Sequence, residues 1–72
     1  MNHTYKDRVI EVDARPAPDV KGRWRVYVNV VYYEGGSSHT TPLSFKDGRT
    51  FASEGEAESA GLALAKTHID GP

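Results

Sequence analysis

The sequence predicts an α+β domain: an antiparallel meander of three to four strands followed by one C-terminal helix packed on one face of the sheet. Three observations predict it. Apolar and polar residues alternate over 8–15 and again over 24–33, the period-two signature of strands. A stretch rich in small residues from Glu54 to Ile69 repeats at helical spacing behind a strong helix-start signal. Clusters of Gly, Pro, Asp and Ser punctuate the chain between these runs, where turns belong.

The first strand spans Arg8 to Arg15, with Ile10, Val12 and Ala14 on one face and Glu11, Asp13 and Arg15 on the other. Pro16-Ala17-Pro18-Asp19 stops it, because proline has no N–H to give a ladder. Residues 1–7 lack an apolar pattern and read as a flexible tail. After the loop Val20-Lys21-Gly22-Arg23 comes the strongest element, Trp24 to Tyr33. Trp24, Val26, Val28, Val30 and Tyr32 point one way; Arg25, Tyr27, Asn29, Val31 and Tyr33 point the other. Valines and aromatics on both faces mark it as a central strand. Glu34 to Ser38 reads as a five-residue hairpin loop, and a third strand follows over about His39 to Lys46, with Thr41, Leu43 and Phe45 on one face. Pro42, on the other parity, places that strand at an edge or a bulge. Asp47-Gly48 predicts a type I′ hairpin turn, with Thr50-Phe51 as a short fourth strand or a lead into the helix.

Ser53-Glu54-Gly55-Glu56 fits a capping box, in which Ser53 caps the Glu56 amide and Glu56 reaches back. Glu54, Glu56 and Glu58 suit the positive end of the helix dipole. Asp70-Gly71-Pro72 ends the helix. Ala57, Ala60, Gly61, Leu64, Ala65, His68 and Ile69 form one stripe of mostly small residues. Such a stripe lets a helix lie close to a sheet that carries large side chains, here Trp24, Tyr32, Phe45 and Phe51.

At 72 residues and 7.9 kDa the chain, residues 1–72, reads as one small domain. A domain of this size buries only about 60% of the surface its unfolded chain exposes. Without cysteines it has neither a disulfide framework nor thiolate metal ligands, and pairing with a second copy is the usual remedy, so a homodimer is expected. Nine Lys and Arg against ten Asp and Glu exclude the strongly basic footprint of a nucleic-acid-coating protein. Charge divides mildly: residues 1–33 hold six bases and four acids, residues 34–72 three bases and six acids. No window approaches an apolar membrane span and no targeting segment is evident, so the expectation is a cytoplasmic protein without a membrane partner.

One helix covers one face of a sheet. The other face, with Arg23, Arg25, Tyr27, Asn29, Val31 and Tyr33, is therefore the candidate interaction surface. Its expected role is a protein contact, a second copy first. The alternative is single-stranded nucleic acid, whose bases stack on aromatic rings while arginines meet phosphates. Against that alternative, Glu11, Asp13 and Arg15 share the face, and cross-strand ion pairs to Arg25 would consume positive charge. His3, His39 and His68 have no metal-ligand spacing, and no cofactor or metal is expected. His68, late in the helix, opposes the negative dipole end. No serine stands in a nucleophile elbow, and Gly35-Gly36-Ser37-Ser38 neither opens a helix nor precedes a lysine as a phosphate loop does, so no catalytic residue is assigned and an enzyme is not expected.

Gly22-Arg23-Trp24-Arg25-Val26-Tyr27-Val28, Gly48 through Ala57, and Ala60 through Asp70 resemble a class of short bacterial conserved hypothetical proteins, commonest among betaproteobacteria. Those proteins join a G-x-W-x-V strand to an F-x-S-x-x-E-A helix. The resemblance spans about Val9 to Ile69 and implies a βββα fold with no assigned activity. The element order is also similar to antitoxins of the HicB type, although Pro42-Leu43-Ser44-Phe45 stands where they carry a Pro-x-x-Pro-Gly stretch. Double-stranded RNA-binding domains likewise place a helix after three strands. Theirs opens on basic residues, whereas this one opens on three glutamates that repel phosphate.

Overall fold

The computed structural model of the chain describes residues 2–71. Four strands, β1 (Asn2–Tyr5), β2 (Arg8–Pro16), β3 (Trp24–Glu34) and β4 (Ser37–Leu43), precede one helix, α1 (Glu54–Asp70). The strands form an antiparallel meander in the order β1-β2-β3-β4, so the α+β fold is the one the alternation predicts. None of the described helical residues forms a span long and apolar enough to cross a membrane.

The expected tail is instead the first strand. Asn2–Tyr5 pairs with Arg8–Glu11 through a two-residue turn in which Lys6 and Asp7 both take positive φ, 47° and 64°. A Lys-Asp turn lacks the glycine that normally advertises this geometry, and tertiary contacts stabilise it. The Tyr5 hydroxyl donates to both carboxylate oxygens of Asp70, and Lys6 pairs with the same group at the far end of α1. The second hairpin turns on Gly35 and Gly36 alone, φ 57° and 84°, so β4 begins two residues earlier than the five-residue loop implies. Two consecutive left-handed residues match the twist of the flanking strands, and glycine reaches them without Cβ strain.

β4 ends at Leu43, short of Lys46, and the Asp47-Gly48 segment is not a I′ hairpin. Gly48 has positive φ but Asp47 does not; the Gly48 amide donates to the Phe45 carbonyl, and the Asp47 carboxylate accepts from the Arg49 amide. The fourth strand expected at Thr50-Phe51 reduces to one bridge, in which Trp24 and Phe51 exchange two backbone hydrogen bonds of 2.8 Å.

The helix start follows the capping box closely. Ser53 Oγ accepts from the Glu56 amide at 3.1 Å, and Glu56 reaches back to the amide of Ala52, just before the cap. At the other end Gly71, φ 75°, donates to the Thr67 carbonyl. α1 lies across β2 and β3, and the core between them is Ile10, Val12, Val26, Val28, Val30, Ala57 and Ala65. Fully burying side chains such as Ile10 and Val12 contributes roughly 1.5–3 kcal/mol each. Tyr5, Trp24, Leu43, Phe45, Phe51, Leu62 and Ile69 close its edges. The buried line of the helix is Ala57-Gly61-Ala65; His68, expected within the stripe, is exposed, while Leu62 is half-buried in its place.

Candidate functional site

Pleating sends alternate residues of every strand to the face opposite α1. The register aligns them in rows: Thr4, Val9, Val31 and Thr40; Asn2, Glu11, Asn29 and Pro42; Asp13 and Tyr27; Arg15 and Arg25. Tyr33 extends the face at its hairpin end, opposite Ser38. Five of the six predicted surface residues, Arg25, Tyr27, Asn29, Val31 and Tyr33, thus share one face of β3. No described element packs over that face. Tyr27 is 52% exposed and Tyr33 64%, the two most exposed large hydrophobic side chains among the described residues.

Two of the six do not serve as expected. Val31, in the row between Val9 and Thr40, is only 7% exposed, so it needs no outside cover. Arg23 precedes the strand, and its guanidinium is committed to the Thr50 hydroxyl and carbonyl at 3.0 and 2.8 Å.

The electrostatics also differ from the cross-strand pairing expected around Arg25. Directly opposite Arg25 stands Arg15, a like charge. Each arginine turns to another carboxylate: Arg15 to Asp13 two residues back in its own strand, at 2.7 Å, and Arg25 to both oxygens of Asp19 in the preceding loop, at 2.9 Å. The Arg25 hydrogen bond holds the Asp19 carboxyl below its ordinary range. The Arg15 guanidinium also lies 5.7 Å from the Tyr27 ring centroid. Glu11 accepts a long 3.4 Å hydrogen bond from Asn29. Asn2, Glu11, Asp13, Arg15, Tyr27 and Asn29 together line an open groove of about 440 Å³. Its chemistry is mixed: two carboxylates, two carboxamides, one guanidinium and one phenol. That surface suits a partner carrying both signs of charge.

Asn2 and Asp19 are the contributors to this face that sequence reasoning missed. Asn2 joins through the unexpected first strand, and Asp19 reaches Arg25 from a loop whose path the alternation pattern does not specify. Comparison of the chain with protein-family models, with curated proteins and with solved structures found no match.

Proposed function

We propose that this protein is a non-catalytic interaction module that docks protein surface, a second copy of itself first, on the sheet face opposite α1. The observation that carries the reading is the pair of exposed tyrosines, Tyr27 and Tyr33, on a face that no described element covers. Tyrosine is among the residues that anchor protein interfaces, because its rigid ring buries large area at small entropic cost. The charges around it are balanced by their own neighbours, Arg15 by Asp13 and Arg25 by Asp19, so two like faces meet with little net repulsion.

The same charges weigh against nucleic acid as the partner. Arg15 and Arg25 are neutralised by Asp13 and Asp19, and Glu11 stands among them.

Light scattering across micromolar to millimolar protein tests the reading. The expected result is a mass that rises with concentration, and a mass that stays monomeric in Tyr27→Asp and Tyr33→Asp, both on exposed positions where folding tolerates the change. Because Val31 is buried, Val31→Asp perturbs the fold and does not serve. A wild-type monomer at every concentration would refute self-association through this face.

A further inference from the structure

The helix side of the sheet, at the hairpin end, gathers groups that the tyrosine face does not use. Strand register sets Tyr5, Arg8, Tyr32 and His39 in one row across all four strands. The last turn of α1 brings His68 and Ile69 beside that row, and with Val30 and Thr41 they line a cleft of about 230 Å³ around Arg8, Tyr32 and His39. The Arg8 guanidinium lies 4.7 Å from the Tyr32 ring centroid, and the His39 ring stacks on Tyr32 at 6.2 Å with 28° between planes.

Arg8 differs from the other arginines in how it is satisfied. Arg15, Arg25 and Arg49 are each paired with an aspartate, and Arg23 is spent on Thr50. Arg8 donates one hydrogen bond to the Lys6 carbonyl and, among the described residues, has no carboxylate partner. None lines the cleft either. Asp7, in the β1–β2 turn, is exposed; Glu34, the last residue of β3 and two residues beyond Tyr32 on the same face, is exposed and does not line the cleft; Asp70, two residues beyond His68, is held by Tyr5 and Lys6.

Two imidazoles invite comparison with a metal site, but a permanent guanidinium charge in the same cleft repels a cation. The described residues also contain no cluster of three metal-ligating side chains. A guanidinium with spare donors, two imidazoles that each offer a ring N–H, and a threonine hydroxyl constitute an anion-binding set. We propose that this cleft binds a small tetrahedral oxyanion of the phosphate class, free or as a short phosphomonoester, with Arg8 as the anchoring cation and His39 and His68 as its flanks. The site rests on the opposite side of the sheet from the tyrosines and does not depend on the interaction reading.

The test is NMR of the full chain titrated with inorganic phosphate, glycerol phosphate, sulfate, acetate and zinc at constant ionic strength. The expected result near pH 6 is saturable shifts confined to Arg8, Tyr32, His39, Thr41 and His68 with phosphate and sulfate, and none with acetate. Stronger binding of glycerol phosphate than of phosphate identifies an ester as the source; the reverse identifies the free ion. Arg8→Gln weakens binding about tenfold or more through loss of a charge-assisted contact. His68→Gln, on an exposed helix position, weakens it several-fold through loss of a flanking N–H donor. Shifts that stay linear or spread over the surface, binding indifferent to both substitutions, or a response to zinc without one to phosphate would each overturn the proposal.

Discussion

Gly61 shows how one side chain, or its lack, sets the spacing of the whole domain. A Cβ added there would stand 2.7 Å from Val26 Cγ2, 3.0 Å from Val28 Cγ2 and 3.2 Å from Val12 Cγ1. These valines are stiff about χ1 and rooted in two neighbouring strands, so they yield little. Alanine would gain about 1 kcal/mol of helix propensity, while overpacking costs roughly 1–3 kcal/mol. Gly61→Ala is therefore expected to destabilise the fold by about 1 kcal/mol net, read as a lower urea midpoint at unchanged slope. A raised midpoint would mean that α1 has slack above the sheet. The value of small residues on this helix was legible in the sequence, since Ala57, Gly61 and Ala65 recur at i, i+4. That Gly61 meets three valines was not, because the helix crosses the strands at a place no local pattern names.

Among the elements, β1 is the instructive one. It completes the sheet, yet its residues show only a brief alternation and its turn has no glycine. What holds it is a contact across more than sixty residues, from Tyr5 and Lys6 to Asp70. Hydrogen bonds from Lys6 and then Tyr5 lower the Asp70 carboxyl pKa, and Asp70 raises that of Lys6. A lowered carboxyl pKa stabilises the fold fully above the unfolded value of about 4 and ceases to do so as pH falls through the folded one. The raised Lys6 value contributes below the unfolded lysine value of about 10.4 and is lost as pH rises through the folded one. Both partners are exposed, so the effect is small. In Asp70→Asn the thermal midpoint should fall slightly at neutral pH and lose less than wild type between about pH 4 and pH 2. Parallel acid limbs in the two proteins would exclude the Asp70 tie as a contributor. β4 carries a related lesson. Its start depends on whether Gly35-Gly36 alone makes the turn, and a five-residue polar stretch does not announce that.

At the scale of the molecule, one helix serves a four-stranded sheet, and the result is a two-sided object with unlike faces. α1 seals β2 and β3; the far side keeps its tyrosines and its paired charges in solvent. Removing residues 2–5 would strip Arg8–Glu11 of their outer neighbour and bare that edge of β2. That deletion is expected to lower the thermal midpoint and to produce aggregates, and a chain that stays as stable and as dispersed as wild type would show that β1 adds nothing to the sheet. Periodicity, turn chemistry and capping residues are properties of neighbours along the chain. For that reason strands β2 and β3, the helix with both its ends, and the membership of Arg25, Tyr27, Asn29, Val31 and Tyr33 in one face are written in residue order. Burial of Val31, the turn of Arg25 toward Asp19, the gathering of Arg8, Tyr32, His39 and His68 and the docking of β1 depend on register and on helix placement. These arise only when distant segments pack, because the energy that selects them lies in contacts between residues far apart in the chain.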